Sequence, residues 1–268
     1  MLVAWAYSFS FVYRHTFSET GLCVDTIGLN TDMIRHKNGS SEKKTQCIRC
    51  GICCEKGGPS FHIQDRSLIE NGTIHTRYLY TIRKGELVHD NVQVSLKPAD
   101  SDIIKIKGKS SLWECVFFQQ RDKSCGIYDH RPLECRLLKC WDTGDIEAVY
   151  EKDRLTRRDI LAGIEGLWEL IAGHEKQCSY DVINRALRGL DGVNIKKAQE
   201  VIDGAIRYDS AIRQLILENG NVTPDMIDFL FGRPLTVTLK SMGYTIQSVD
   251  GSCQVVKKYC SSQRNHYL

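Results

Sequence analysis

Apolar residues recur at three- and four-residue steps through the second half of the chain, from about residue 154 onward. The pattern covers residues 155–171 and, over a longer stretch, residues 195–216. Because this spacing lines one face of a helix with apolar side chains, it predicts two amphipathic helices. We expect these helices to pack on each other or on the preceding part of the chain.

The end of the chain predicts one more helix and a short hairpin. The tripeptide TPD at residues 223–225 has the residue types of a helix start. The helix that follows should run to about Phe231 and end at Gly232. The segments LTVTLK (235–240) and YTIQSV (244–249) have the residue types of two paired strands.

The first half of the chain has a different pattern. Residues 66–84 predict one or two short helices broken at Gly72. Residues 91–96, 102–107 and 114–119 have the alternation, or the β-branched and aromatic content, of short strands. Helices and short strands together predict an α+β fold, in which a small unit is followed by a mainly α-helical C-terminal domain.

Most of the cysteines lie in this first half. The chain has 12 cysteines in 268 residues, and eight of them lie between Cys47 and Cys140. A disulfide framework and a metal site are the two explanations for such a number. Disulfides are typical of oxidising compartments and of small domains with thin cores, so a chain of this size gains less from them. We therefore expect a metal-binding protein of the reducing cytoplasm.

The densest group of cysteines is CIRCGICC at residues 47–54, a C-x2-C-x2-C-C pattern. Four thiols within eight residues do not fit on one face of a regular helix or strand, so the backbone must wrap around them. A zinc site usually takes two cysteines from one such segment and two ligands from a distant one. Three cysteines at successive two-residue spacings favour a [4Fe–4S] cluster, with Gly51 allowing a positive φ beside it. The spacing leaves zinc open as the alternative.

A second group of four cysteines follows at wider spacing, around the dipeptide Arg131-Pro132. The two groups together offer enough thiols for two four-cysteine sites, or for one site and a reactive pair. The predicted metal ligands are Cys47, Cys50, Cys53, Cys54, Cys115, Cys125, Cys135 and Cys140.

This combination of motifs resembles the YkgJ-type cysteine-cluster family, also described as zinc- or iron-chelating CxxCxxCC-domain proteins. The resemblance covers roughly residues 45–142 and rests on all eight cysteines, Gly51, Tyr128, Arg131-Pro132 and Arg136. It implies metal chelation, with iron–sulfur and zinc both proposed. Some proteins with a similar cluster resemble flagellin lysine N-methylases that use S-adenosylmethionine. A cluster-dependent protein-modifying enzyme is therefore kept as an alternative.

Several residues near the cysteines have two interpretations. Arg131 and Arg136 are predicted to bind the cofactor, by donating hydrogen bonds to cluster sulfur or by offsetting the thiolate charge; the alternative is a surface role. His62 is either an additional metal ligand or a core or solvated histidine. Asp65 and Asp102 are expected to cap helices and turns. Four cysteines outside the pattern are expected to be free thiols: Cys23, Cys178, Cys253 and Cys260, of which the last two could also pair.

We divide the chain into three ranges. Residues 1–44 are predicted to be a flexible leader, and residues 1–32 are interpreted as an upstream extension with translation starting at Met33. Residues 45–150 form the predicted cysteine-cluster metal-binding domain. Residues 151–268 form the predicted helical domain, which ends in the short hairpin.

Charge and motifs narrow the function further. The 36 Lys and Arg residues against 33 Asp and Glu residues give a formal charge of +3, which provides no basis for a nucleic-acid partner. The apolar run at the start is too short to span a bilayer, so no membrane partner is expected. The common phosphate-binding and hydrolase motifs do not occur in the sequence.

The prediction is a metal-binding protein that holds an iron–sulfur cluster or zinc. Its role would be redox chemistry or electron transfer, or that of a zinc-chelating interaction module, with a protein partner on the helical domain.

Overall fold

The computed structural model describes residues 13–17, 23–27, 47–109, 113–220, 222–249 and 252–258. Helices and small sheets are mixed along these residues, which confirms the predicted α+β class. Apart from two short strands, the predicted flexible leader and the start at Met33 lie outside the described residues, as does Cys260.

Ten α-helices occur in the described residues, and the longest of them lie in the second half of the chain. They are α1 (Ile52–Glu55), α2 (Arg66–Glu70), α3 (Leu133–Leu137), α4 (Gly144–Val149), α5 (Arg157–Leu161), α6 (Leu167–Gln177), α7 (Tyr180–Gly189), α8 (Ile195–Asn219), α9 (Ile227–Phe231) and α10 (Leu235–Ser241).

The strands of the described residues form six antiparallel pairs. They are β1 (Tyr13–Phe17) with β2 (Cys23–Ile27), β3 (Leu79–Ile82) with β6 (Ile103–Ile106), β4 (Leu87–Asp90) with β5 (Ser95–Pro98), β7 (Gly108–Lys109) with β8 (Glu114–Cys115), β9 (Phe118–Gln119) with β10 (Ser124–Cys125), and β11 (Tyr244–Val249) with β12 (Ser252–Lys257).

The predicted amphipathic helices are confirmed in part. The pattern over residues 195–216 corresponds to α8, which buries Ile202 and Ile206 on one face. The pattern over residues 155–171 covers α5 and the start of α6, so the prediction of a single helix is wrong there. Gly166, at φ 77°, precedes α6 in a conformation that side chains rarely allow, and it separates the two helices.

One helix prediction and one strand prediction in the first half require correction. The second part of residues 66–84 contains β3 rather than a helix. All four residues of β3 are buried, and a strand buried on both faces lacks the alternation that would distinguish it from a helix. Residues 91–94 form a turn, because the Asp90 carboxylate accepts hydrogen bonds from the backbone N–H groups of Val92 and Gln93.

The remaining strand segments are confirmed with shifted ends. Residues 102–107 contain β6, and residues 114–119 contain β8 and β9 with a turn between them.

The C-terminal hairpin exists, but its first strand is not LTVTLK. That segment is α10, because Leu235, Thr238 and Leu239 lie three and four residues apart and are buried together. The hairpin consists of β11 and β12 instead. The predicted helix after residues 223–225 is confirmed: a 3₁₀ turn leads into α9, which ends at Gly232 with φ 72°.

One hydrophobic core draws on both halves of the chain. Phe61 and Ile104 pack in the same cluster of buried side chains as Leu155, Phe229 and Phe231. The hydroxyl of Thr81 in β3 donates a hydrogen bond of 2.7 Å to the Phe229 carbonyl in α9, so the contact is polar as well as apolar. The division into domains at residue 150 stays a prediction.

A buried arginine connects three parts of this fold. Arg157, at the start of α5, is 1% exposed and donates two hydrogen bonds to Asp102, at 2.8 and 3.1 Å. It donates one more to Glu175 of α6 at 2.7 Å and one to the Leu230 carbonyl of α9 at 2.7 Å. Asp102 was predicted to form a turn, and its carboxylate pairs with Arg157 instead.

Candidate metal centre

The cysteine loop, residues 47–54, changes direction at two backbone positions. Arg49 and Gly51 have positive φ values of 52° and 80°, and α1 begins at the next residue. The positive φ predicted for Gly51 is confirmed, while that of Arg49 is uncommon for a residue with a side chain. The Arg49 backbone N–H donates to the sulfur of Cys47 at 3.4 Å. The backbone therefore bends twice between Cys47 and Cys53, as the crowded spacing of the thiols requires.

The cysteine loop lies against the strands that carry the next two cysteines. A Cβ atom at Gly51 would come within 2.6 Å of the Phe118 ring, so only glycine allows this approach. Phe118 stands opposite Cys125 in the β9–β10 pair. Helix α1 also packs on β8, which contains Cys115. Packing alone thus brings two distant cysteines towards the loop.

Five thiols, which we call the inner thiols, influence each other electrostatically: Cys53, Cys54, Cys115, Cys125 and Cys135. The Cys54 thiol donates a hydrogen bond to Cys53, which lowers the pKa of Cys53 to about 6 and raises the pKa of Cys54. Burial, together with the nearby Cys125, raises the pKa of Cys115 to about 11. Burial also raises the pKa of Cys135, with Cys115 and Cys53 adding to the increase. Without a cation, Cys115 and Cys135 therefore carry protons at neutral pH.

The eight predicted ligands differ in exposure. Cys115 is buried and Cys50, Cys54, Cys125 and Cys135 are half-buried, whereas Cys47, Cys53 and Cys140 are exposed. Outside the eight, Cys178 and Cys253 are free thiols, which confirms the prediction for these two. The loop and the second group therefore meet at the inner thiols, while the role of all eight cysteines as metal ligands stays a prediction.

Helix α3 carries Cys135, and two buried acids attach this helix to the segment that follows the cysteine loop. The first is Glu134, which is 4% exposed. Its carboxylate accepts hydrogen bonds from the Ser60 backbone N–H at 2.7 Å and from Arg154 at 2.7 Å, and it lies 3.4 Å from His62 Nε2. Burial alone would raise the pKa of Glu134, but His62, Lys105 and Arg154 lower it to about 2. Glu134 is therefore a stable carboxylate inside the protein.

The second acid is Asp65, which is fully buried. Its carboxylate accepts hydrogen bonds from the Leu133 backbone N–H at 2.8 Å and from the His62 backbone N–H at 3.1 Å. The capping role predicted for Asp65 is confirmed by the second of these bonds, and the first joins it to α3. His62 is a core histidine rather than a free ligand, since Nδ1 lies 2.8 Å from the Lys152 carbonyl and Nε2 faces Glu134.

The two predicted cofactor-binding arginines lie in different surroundings. Arg131 stacks on the Tyr128 ring, with its guanidinium carbon 3.6 Å from the ring centroid, and its charge lowers the pKa of Cys53. Arg136 is half exposed and lies 3.6 Å from the Asp65 carboxylate. Arg49 also stacks on Tyr128, at 4.2 Å, and sequence reasoning missed it. Its position between two cysteines of the loop was the available signal.

A second group of potential ligands lies away from the inner thiols. His174, Cys178 and Asp209 are buried, with side-chain donor atoms within 4.8 Å of one another. His174 Nε2 lies 2.8 Å from one oxygen of the Asp209 carboxylate, and the same oxygen accepts a hydrogen bond from Arg213. The other oxygen of Asp209 accepts a hydrogen bond from the Leu235 backbone N–H. Both carboxylate oxygens are thus in use and a guanidinium sits beside them, which opposes a second cation. We interpret this group as a structural hydrogen-bond network.

Acidification is expected to destabilise the protein in part through His174. Burial lowers the pKa of His174, Arg83 lowers it further, and Asp209 and Glu175 only partly oppose this. An unfolded chain, whose histidines titrate near about pH 6.5, then binds the proton more readily than the folded one. The stability that comes from neutral His174 is complete above that pH and is lost as the pH falls towards the lower folded pKa. In urea unfolding at several pH values, the free energy of unfolding should fall more steeply with decreasing pH for the wild type than for His174→Gln. Parallel decreases in the two proteins would contradict the role given to His174.

Among the described residues, no helix has the length and the apolar content needed to cross a membrane. In a comparison with known families, residues 46–156 match the CxxCxxCC family model, described as "Putative zinc- or iron-chelating domain". This match confirms the predicted resemblance for that part of the chain and supports metal binding in general. No curated protein and no solved structure matches the chain.

Proposed function

Because residues 46–156 match a family of zinc- or iron-chelating domains, we propose that the eight cysteines of this range hold an iron–sulfur cluster of the [4Fe–4S] type. The observation that carries the proposal is the group of inner thiols, which come from four separate elements: α1 packs on β8, and Cys53, Cys115 and Cys125 lie close enough to Cys135 to raise its pKa. Thiolates are the protein ligands of such clusters. One [4Fe–4S] cluster takes four thiolates, so the eight cysteines offer enough donors for it.

The chain's own residues would hold the thiolates in a suitable state. Cys53 has a low pKa and is charged near neutral pH, whereas Cys115 and Cys135 must lose their protons when metal binds. Arg131 places a positive charge near Cys53, which offsets part of the negative charge that the thiolates bring together. We propose that Arg136 acts more remotely, through Asp65.

Electron transfer is the role that the exposure of the loop supports. Cys47 and Cys53 are exposed, and so are the adjacent apolar residues Ile48 and Ile52. When bound, an iron–sulfur cluster supplies one-electron redox chemistry. Exposed thiols and apolar side chains around it would allow a partner protein to approach closely. We further propose a location in the cytoplasm, where thiol ligands stay reduced.

Anaerobic purification followed by absorption spectroscopy and elemental analysis tests the proposal. We expect broad absorbance near about 400 nm and about four irons per chain, with bleaching on reduction. A colourless protein that contains zinc would overturn the iron–sulfur assignment and would favour a closed structural site instead. A protein that retains neither metal after anaerobic purification and reconstitution would overturn metal binding by this range.

A further inference from the structure

We propose that Glu134 and Asp65 are positioning residues that hold Cys135 against the other inner thiols and thereby set the metal affinity of the site. The inference rests on the proposed function, since it concerns the same ligands. Neither acid is itself a ligand in this proposal. Both act through the backbone that carries Cys135.

Helix α3 cannot fix its own position. It has five residues, and helices of this length are not stable by their internal hydrogen bonds alone. The position of Cys135 must therefore come from contacts between α3 and the rest of the protein. The polar contacts of α3 with the segment that follows the cysteine loop are made by the two acids.

Glu134 precedes Cys135 directly, and its carboxylate is held from two sides. The Ser60 backbone N–H, from the segment that leads away from the cysteine loop, donates to one oxygen at 2.7 Å. Arg154, from the segment after α4, donates to the other oxygen at 2.7 Å. A shift of this carboxylate would move the next residue, which is Cys135.

Asp65 holds the start of the same helix. One of its oxygens accepts the Leu133 backbone N–H at 2.8 Å, two residues before Cys135. The other accepts the His62 backbone N–H at 3.1 Å, so the acid links α3 to the same segment as Glu134 does. Side chains that orient ligands commonly change metal affinity by roughly 10- to 100-fold when they are replaced. Two such links on one short helix make the placement of Cys135 depend on buried acids.

The test compares Glu134→Gln and Asp65→Asn with a matched control. The control is Glu86→Gln, because Glu86 is also buried, at 1% exposure, and pairs with Arg233 and the Arg83 backbone N–H rather than with the cysteine loop or α3. Cobalt(II) serves as the probe, since its thiolate charge-transfer absorption reports how many thiolates bind. Each reduced apoprotein is titrated with cobalt(II) against a competing chelator, and the folded fraction is measured by circular dichroism.

We expect Glu134→Gln and Asp65→Asn to weaken cobalt(II) binding by about 10- to 100-fold and to lower the charge-transfer absorbance per bound cobalt. Glu86→Gln should lower stability without changing either quantity. Unchanged affinity and absorbance in both acid variants would overturn the inference, as would an equal loss in the control. If Glu134→Gln does not fold, Asp65→Asn decides in the same way. A wild-type protein without thiolate absorbance would instead contradict the proposed metal site itself, so the two failures are distinguishable.

Discussion

Replacing Cys115 with serine is expected to abolish stable metal binding. Cys115 is 5% exposed, is the one buried cysteine of the eight, and belongs to the hydrophobic core beside the other inner thiols. Loss of a group that merely orients a ligand costs roughly 10- to 100-fold in affinity, and loss of the ligand itself should cost more than 100-fold. The measurement is the iron and zinc content per chain after gel filtration, together with thermal unfolding with and without added metal.

The matched control for this experiment is Cys178→Ser. Cys178 is also free and is fully buried, but its thiol donates to the Ala205 carbonyl in the helical part of the protein. Burial raises the pKa of Cys178 to about 12, so it is a neutral thiol. We expect Cys178→Ser to retain its metal. Equal metal content in both variants would contradict the ligand role of Cys115.

Replacing Arg157 with methionine is expected to lower the free energy of unfolding by about 3–5 kcal/mol. The change would leave the Asp102 carboxylate without its buried partner and Glu175 with Arg83 alone, and it would remove the hydrogen bond to the Leu230 carbonyl. Removing one member of a buried ion pair is costly because the remaining charge is not compensated. Urea unfolding at pH 7 measures the effect.

Arg66→Met is the control for the charge itself. Arg66 pairs with Glu70 one turn along α2, and both side chains are about half exposed. Pairs of this kind contribute about 0–1 kcal/mol, so this variant should unfold close to the wild type. If the free energy of unfolding falls by the same small amount in both arginine variants, the buried contacts of Arg157 do not stabilise the fold as proposed.

How far the sequence predicts the fold depends on how local the signal is. Helix α8 is predicted because its apolar residues repeat over many turns, and α9 because a start signal and Gly232 bound it. The LTVTLK segment was predicted as a strand because Leu, Val and Leu alternate with polar residues. In the structure, burial of Thr238 beside Leu239 selects the helix, and this depends on contacts that the sequence does not display.

The same distinction applies to the metal centre. The cysteines and Gly51 are recognisable because their spacing is itself the signal. Glu134 and Asp65 carry no such signal, since the partners of Glu134 at Ser60 and His62 lie 74 and 72 residues away in the chain. Only the folded structure reveals that an acid beside Cys135 is buried, charged and bonded to the segment after the cysteine loop.

The core shared by the two halves has a consequence for the order in which the protein is made. All eight cysteines leave the ribosome before α9, which supplies Phe229 and Phe231 to the core beside Phe61 and Ile104. Until α9 emerges, the sheet of β3 and β6 lacks part of the surface on which it packs. Cys115 belongs to the same buried cluster as Phe229 and Phe231, so the core around it is incomplete during that interval. We therefore expect metal insertion to follow completion of the chain, and a nascent fragment that ends where the family match ends would not retain it.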